Sequence, residues 1–361
     1  MAGLKTIFEF PNGIRYEGTV NRKKLPHGSG NIVYPNGSRY EGLWKEGKKE
    51  GKGTQVFSIS EQYDGEWQDN KKEGKGIYAF SNGDLYDGFY SKDKRHGNGT
   101  YRHTNGVVYD GNWEDGMRSG EGTETYPNGD KYQGSWAFDL KQGYGTMTYA
   151  NGSQYIGFWD KGVKCGAGKI LFADGGRYEG ELFGDRRDGK GIYHYPDGTI
   201  YQGDWVNDLR HGEGILTYPN GEKYSGQWNK SHREGEGEAV YADGSQYLGE
   251  WQRDKRNGRG IYTFPNLDTY DGEWKRDLVD GRGASERKNQ HMHMGAGLRR
   301  RRAHSCTHTC IRARAGGHIH AHTHANVRAQ RHAHDTNKHI FSHCRSRAQT
   351  TPAPHTNTQN N

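Results

Sequence analysis

Ten cations recur at an interval of 23 residues: Lys49, Lys72, Arg95, Arg118, Lys141, Lys164, Arg187, Arg210, Arg233 and Arg256. A row of evenly spaced positive charge suits anions, either lipid headgroups or the acidic surface of a protein partner. The same row suits a plainer role, since cations on loops that flank exposed strands keep sheets from pairing with one another. Paired glycines such as Gly97 and Gly99, Gly120 and Gly122, or Gly212 and Gly214 resemble phosphate cradles only out of context. Strand-like runs follow them instead of a helix, so they are read as structural. His96 and His211 precede two of these pairs at regular positions, which argues for a solvated face and against an acid–base pair. The chain has no Walker loop, no His-Glu-x-x-His and no Gly-x-Ser-x-Gly, so neither a catalytic centre nor a cofactor is expected. Cys165 stands apart from Cys306, Cys310 and Cys344 and reads as a free surface thiol, not as part of a disulfide framework.

Composition limits what can position such groups. Only 30% of the 361 residues are hydrophobic, 56 are glycine and mean hydropathy is −1.17, which excludes a large conventional core. Yet 24 Tyr, 9 Trp and 11 Phe are present, and disordered chains are poor in such rings. No window of 18 apolar residues exists, and residues 1–10 have too short an apolar core for a secretory signal, so a soluble intracellular chain is expected. Charge is divided unevenly. Residues 1–283 hold 38 Lys and Arg against 42 Asp and Glu, while residues 284–361 hold 13 against 2, with 13 of the 19 His. The net-acidic part is a poor partner for nucleic acid, whose affinity is dominated by phosphate neutralisation.

The elements come from a repeat. Tyr recurs at positions 16, 40, 63, 86, 109, 132, 155, 178, 201, 224, 247 and 270, Gly follows two residues later in all twelve, and Trp four residues later in nine. The core expected from these is Tyr40, Gly42 and Trp44; Tyr63, Gly65 and Trp67; Tyr109, Gly111 and Trp113; Tyr132, Gly134 and Trp136; Tyr201, Gly203 and Trp205; Tyr224, Gly226 and Trp228; and Tyr247, Gly249 and Trp251. Runs such as Gly145-Thr146-Met147-Thr148-Tyr149 alternate at period two, as a half-buried strand requires. Asn-Gly or Asp-Gly pairs separate such runs in ten of twelve units and favour tight turns with positive φ. Each unit is therefore expected to be one β-hairpin, with rings lying over bare glycine backbone. The fold class expected is all-β: an elongated single-layer antiparallel sheet of about twelve tandem hairpins over residues 8–283, followed by a disordered tail over 284–361. At about 4.8 Å per strand, such a ribbon is on the order of 115 Å long.

The pattern Tyr-Glu-Gly-x-Trp, followed by Gly-x-Gly and then Tyr-Pro-Asn-Gly, closely resembles the MORN (membrane occupation and recognition nexus) repeat, and Gly37-Ser38-Arg39-Tyr40-Glu41-Gly42-Leu43-Trp44 is nearly its consensus. Val20, Tyr90 and Leu182 depart from it at the Trp position, Ser58-Ile59-Ser60 replaces one turn, and Asn266-Leu267 lacks the turn glycine. The resemblance implies a non-enzymatic scaffold or spacer, cytoplasmic and associated with cytoskeleton or cilium, whose partners are other proteins. Open sheet ends allow a homodimer by strand pairing. Two alternatives are a peripheral membrane adaptor that binds anionic phospholipid through the cation row, and the regulatory array of a truncated phosphoinositide kinase-like protein. In the tail, His304, Cys306, His308 and Cys310 are metal-capable, but the alternating His over 318–325 reads as low complexity of the kind a translated CA/CG dinucleotide repeat gives, so no metal site is expected.

Overall fold

In the computed structural model residues 5–287 are described, and they form strands joined by tight turns. The chain divides into two compact units, Met1–Pro219 and Asn220–Asn361. Among the described residues the first unit holds nineteen strands, Lys5–Glu9 through Leu209–Thr217, and the second holds six, Lys223–Asn229 through Leu278–Glu286. Within each unit the strands pair antiparallel with their neighbours in the chain, so each is a single-layer sheet of successive hairpins. Pairing begins at Lys5 and reaches Glu286, slightly beyond the 8–283 span read from the repeat. Ala284, Ser285 and Glu286, read as the start of the tail, oppose Asp271, Tyr270 and Thr269. The expectations about residues 288–361, including disorder, the metal-capable His and Cys and the low-complexity stretch, lie outside the described residues.

Two kinds of turn alternate. At the Asn-Gly positions the Tyr34 N–H donates to Ser38 O and the Gly37 N–H to Tyr34 O, both at 2.9 Å. Only the glycine is left-handed there, with φ +84° at Gly37, while Asn36 Oδ1 accepts the Ser38 N–H at 3.0 Å. Positive φ thus accounts for the glycine but not for the asparagine, whose part is to accept a backbone donor. At the opposite end of the hairpins both residues are left-handed, as in Lys92-Asp93 (φ 49° and 73°), Phe138-Asp139 (51° and 65°) and Asn207-Asp208 (49° and 68°). Whereas Glu46-Gly47, Asp115-Gly116 and Lys161-Gly162 use glycine, in these three the two-residue turn matches the twist of the strands without it. Their second residue explains it: Asp139 Oδ1 accepts the Arg118 main-chain N–H at 2.9 Å, and Asp208 Oδ1 the Arg187 N–H at 3.0 Å.

One face of each sheet is aromatic and the other largely polar. On the polar face the Thr54 hydroxyl donates to Asp64 at 2.9 Å and the Thr100 hydroxyl to Asp110 at 3.0 Å. Cys165 corrects the surface-thiol reading. It opposes Phe158 across a register shift and is 3% exposed.

Candidate interaction surface

The aromatic face is built from the register outward. Gly42 opposes Gly53, and the Tyr40 ring covers both, its hydroxyl donating to Leu43 O at 3.0 Å. A Cβ on Gly42 would stand 2.5 Å from Tyr40 Oη, and one on Gly53 2.2 Å from it. The ring therefore occupies the space that side chains would need. Burial is nearly complete: the repeat tyrosines from Tyr16 to Tyr247 are at most 2% exposed, and desolvation pushes most of their hydroxyls well above the usual phenol range.

Tryptophan locks successive repeats together. Trp44 stands edge-on to Tyr40 (5.1 Å, 89°) and to Tyr16 of the preceding repeat (5.8 Å, 89°), and its indole N–H donates to Gly30 O at 3.0 Å. Trp67, Trp113, Trp136, Trp159, Trp251 and Trp274 repeat both contacts, Trp205 does so with Tyr201 and Tyr178, and each indole reaches a glycine carbonyl. Edge-to-face ring pairs contribute about 0.5–1.5 kcal/mol beyond their burial. In the second unit Trp228 meets Tyr224 at 5.1 Å. Where tryptophan is missing, Tyr90 stands edge-on between Tyr63 and Tyr86, and Leu182 fills the place at 2% exposure.

The cation row does not stand on the loop edge. Each of the ten is the second residue of its strand, as Lys49 is in Lys48–Ser58, and each lies against rings. Lys49 Nζ is 4.7 Å from the Tyr40 centroid and 4.6 Å from that of Trp67, and the guanidinium carbons of Arg118, Arg187, Arg233 and Arg256 lie 4.3, 4.4, 4.2 and 4.2 Å from indole centroids. Lys164 lies between Tyr149 and Tyr155, and Arg210 lies over Tyr201. Contacts of this type contribute about 0.5–2 kcal/mol, more as the cation is desolvated. Burial lowers Lys49 to about 8 against the pull of Asp93, and likewise lowers Lys72, Arg95 and Lys141.

Carboxylates sort the row into two classes. Arg118 Nη1 reaches Glu124 at 2.6 Å and its Nε reaches Asp139 at 3.2 Å. Arg187, Arg233 and Arg256 pair with Asp208, Asp254 and Asp277 at 3.0, 3.5 and 3.4 Å, and Lys141 stands 3.7 Å from Glu124. Among the described residues, no carboxylate oxygen lies within 4.0 Å of the charged nitrogens of Lys49, Lys72 or Arg95. Lys49 Nζ donates to Gln55, Arg95 Nη2 to Gly116 O at 2.7 Å, and Lys72 Nζ lies 4.5 Å from the Tyr78 centroid. The sequence holds a signal for this division that its 23-residue period hides. Twenty-one residues after each paired arginine comes an aspartate, whereas Asn70 and Gly116 stand there for Lys49 and Arg95. Lys72 and Lys164 have Asp93 and Asp185 at that place, each accepting the lysine main-chain N–H, at 2.9 and 3.0 Å, without a side-chain ion pair among the described residues, so the offset sorts the arginines and not the lysines. No group of three or more His, Cys, Asp and Glu set to hold a metal occurs among the described residues.

A family model described as MORN repeat matches twelve consecutive segments: residues 16–39, 40–60, 63–85, 86–108, 109–131, 132–154, 155–177, 178–200, 201–223, 224–246, 247–269 and 270–289. No curated protein matches the sequence. Among solved structures, the SAS-4 (dCPAP) TCP domain of Drosophila melanogaster, in complex with a proline-rich motif of Ana2 (dSTIL), is 15% identical, with 43% of this chain and 85% of that one covered and a TM-score of 0.29. The TCP10 domain of Danio rerio CPAP, in complex with a peptide of Danio rerio STIL, is 16% identical, with 75% and 94% covered and a TM-score of 0.27. Likeness this partial carries no argument about the chain.

Proposed function

The chain belongs to the MORN repeat family, and on that premise we propose that it is a non-enzymatic scaffold for protein–protein interaction in cytoskeletal or ciliary assemblies. The observation that supports this reading is the repetition of one Tyr–Trp–cation unit along the aromatic face of each unit's sheet. A surface of equivalent steps suits the binding of extended partners, or of several copies of one partner, more than it suits a single small substrate. The polar groups of this face are held by carbonyls, carboxylates and rings, and the repeat fold itself is non-catalytic. Among the described residues Arg118, Lys141, Arg187, Arg233 and Arg256 are ion-paired, which leaves the lipid-adaptor reading without a specific observation in its favour.

Proximity biotinylation from the endogenous protein, with the labelling enzyme fused at the N-terminus, tests the proposal. Cytoskeletal or ciliary proteins are expected to be enriched, and the enrichment is expected to vanish when Tyr109 and Tyr132 are both changed to Ala to break the middle of the array. A labelled set no different from that of the free enzyme sinks the scaffold reading. A set dominated by lipid-metabolic membrane proteins replaces it with the adaptor.

A further inference from the structure

We propose that Lys49, Lys72 and Arg95 form a docking track for an acidic peptide segment in polyproline II conformation, with a carboxylate at every third residue. The proposal rests on the scaffold reading and names the chemistry of one partner.

These cations occupy three successive repeats in the first unit, and they alone in the row are consecutive and lack carboxylate partners among the described residues. Lys164, also without an ion pair there, stands alone between the paired Lys141 and Arg187. Asp93 acts on Lys49 and Lys72, Glu61 on Lys72 and Asp139 on Arg95, but none of these forms an ion pair with the cation, so a carboxylate brought within contact forms the stronger, charge-assisted bond. In the same three repeats a strip of rings runs beside the cations: Phe57 to Tyr78 at 5.8 Å, Tyr78 to Phe80 at 4.4 Å, Phe80 to Tyr101 at 5.5 Å, and Tyr101 to His103 at 4.5 Å. Phe57 is 38% exposed, while Tyr78 and Tyr101 are each 9% exposed. The acids at this strip are engaged, Glu61 by the Tyr78 hydroxyl at 2.6 Å and Asp84 by the Tyr101 hydroxyl at 2.8 Å.

Spacing selects the conformation of the occupant. Two strands per repeat set the cations about 9.6 Å apart. Polyproline II advances about 9.3 Å in three residues and presents the same side again, so a carboxylate at every third position keeps step. A β-strand covers a similar length in three residues but turns alternate side chains away, and an α-helix needs a non-integral number of residues, about 6.4, to cover it. Aromatic strips are the usual floor for polyproline II ligands, whose prolines stack on rings. A membrane surface is the poorer fit, because the charges are recessed among rings where a single chain reaches and a headgroup plane does not.

Fluorescence anisotropy of a labelled peptide of Glu-Pro-Pro triplets with the full chain tests this, with a Glu-Pro doublet peptide as the comparison. The triplet peptide is expected to bind in a salt-sensitive manner, and the K49Q/K72Q/R95Q variant to weaken it about tenfold or more. Lys190→Gln, which removes an exposed cation outside the row that is already paired with Asp204 at 2.7 Å, is expected to leave affinity unchanged. If the triple variant loses its near-ultraviolet circular dichroism, Lys72→Gln alone carries the test, with an expected loss of about threefold. Equal binding of triplet and doublet peptides overturns the proposal, as does undiminished binding to a folded variant. Sedimentation with phosphatidylserine vesicles that depends on these three cations, without peptide binding, overturns it in favour of lipid. Failure of the peptide with the proximity set intact removes only the track, whereas loss of both removes the scaffold reading.

Discussion

Arg118 and Asp139, in adjacent repeats, are joined at three points: the Arg118 main-chain N–H donates to Asp139 Oδ1 at 2.9 Å, its Nε to the same oxygen at 3.2 Å, and its Nη2 to the Asp139 carbonyl at 2.7 Å. Asp139 is at the same time the left-handed second residue of a two-residue turn, with φ 65°. One carboxylate thus closes a turn and neutralises a cation lying over the Trp136 ring. Asp139→Ala should therefore cost about 2 kcal/mol, starting from about 1.5–3 for a charge-assisted bond and discounting for a carboxylate nearly half exposed. Hydrogen exchange should show the loss concentrated in the hairpins on either side of residue 139. A change below about 0.5 kcal/mol would mean the pair is no stronger than an ordinary surface ion pair.

Asn70 occupies for Lys49 the place that Asp139 occupies for Arg118. Its Oδ1 already accepts the Lys49 main-chain N–H at 2.8 Å, so Asn70→Asp keeps the turn and adds a negative charge near a lysine whose burial lowers it to about 8. The added charge should raise Lys49 toward the ordinary lysine range. NMR titration of the lysine ε-carbons measures this directly, and an unmoved or lowered midpoint refutes it. Affinity for an acidic triplet peptide should fall together with the rise, since the cation then has a carboxylate of its own.

Asp84 should govern the acid limb of stability in the first unit. Burial by itself raises its carboxyl, but the Thr104 N–H at 2.9 Å, the Tyr101 hydroxyl at 2.8 Å, the Asn82 amide at 3.0 Å and the neighbouring His103 outweigh burial and hold it at about 2. The folded value lies below the ordinary 3.8, so the stability it contributes is present in full above that pH and is lost as pH falls toward 2. Asp84→Asn should flatten the decline of thermal stability across that interval. An unchanged acid profile would assign the limb to other carboxylates.

Much of this was legible in the sequence for a physical reason. A ring covering Gly42 and Gly53 excludes every other residue from both positions, so a Tyr-x-Gly period reports the contact itself. The side on which the cations stand was not legible. Counting nine residues from Tyr40 at period two puts Lys49 on the opposite face, but the hairpin folds back, and the register shift at Gly42/Trp44 sets Lys49 directly opposite Trp44. A residue's face after a turn and a bulge depends on pairing, which the period does not encode. The burial of Cys165 is likewise hidden from the period, since the matching positions in the other repeats of the row, such as Glu50, His96 and His211, are polar. The pairing of the arginines needs a second offset, of 21 residues, that becomes visible once the turn aspartates are seen to reach back.

Leu267 carries the last prediction. It takes the left-handed place that glycine holds in the other turns of its kind, with φ +68°, and its N–H donates to Phe264 O at 2.9 Å just as the Gly244 N–H does to Tyr241 O. An L side chain in that conformation costs about 1–2 kcal/mol. Leu267 is 56% exposed, so its removal sacrifices little burial, and Asn266 Oδ1 still accepts the Asp268 N–H at 3.0 Å. Glycine gives back about 0.5–1 kcal/mol through the greater freedom of the unfolded chain. Leu267→Gly should therefore stabilise the second unit by about 0.5–1 kcal/mol, seen by calorimetry as a higher melting temperature with an unchanged first-unit transition. Destabilisation instead would mean that the leucine side chain contributes packing outweighing the strain of its backbone, and that this turn departs from the others in kind and not only in residue.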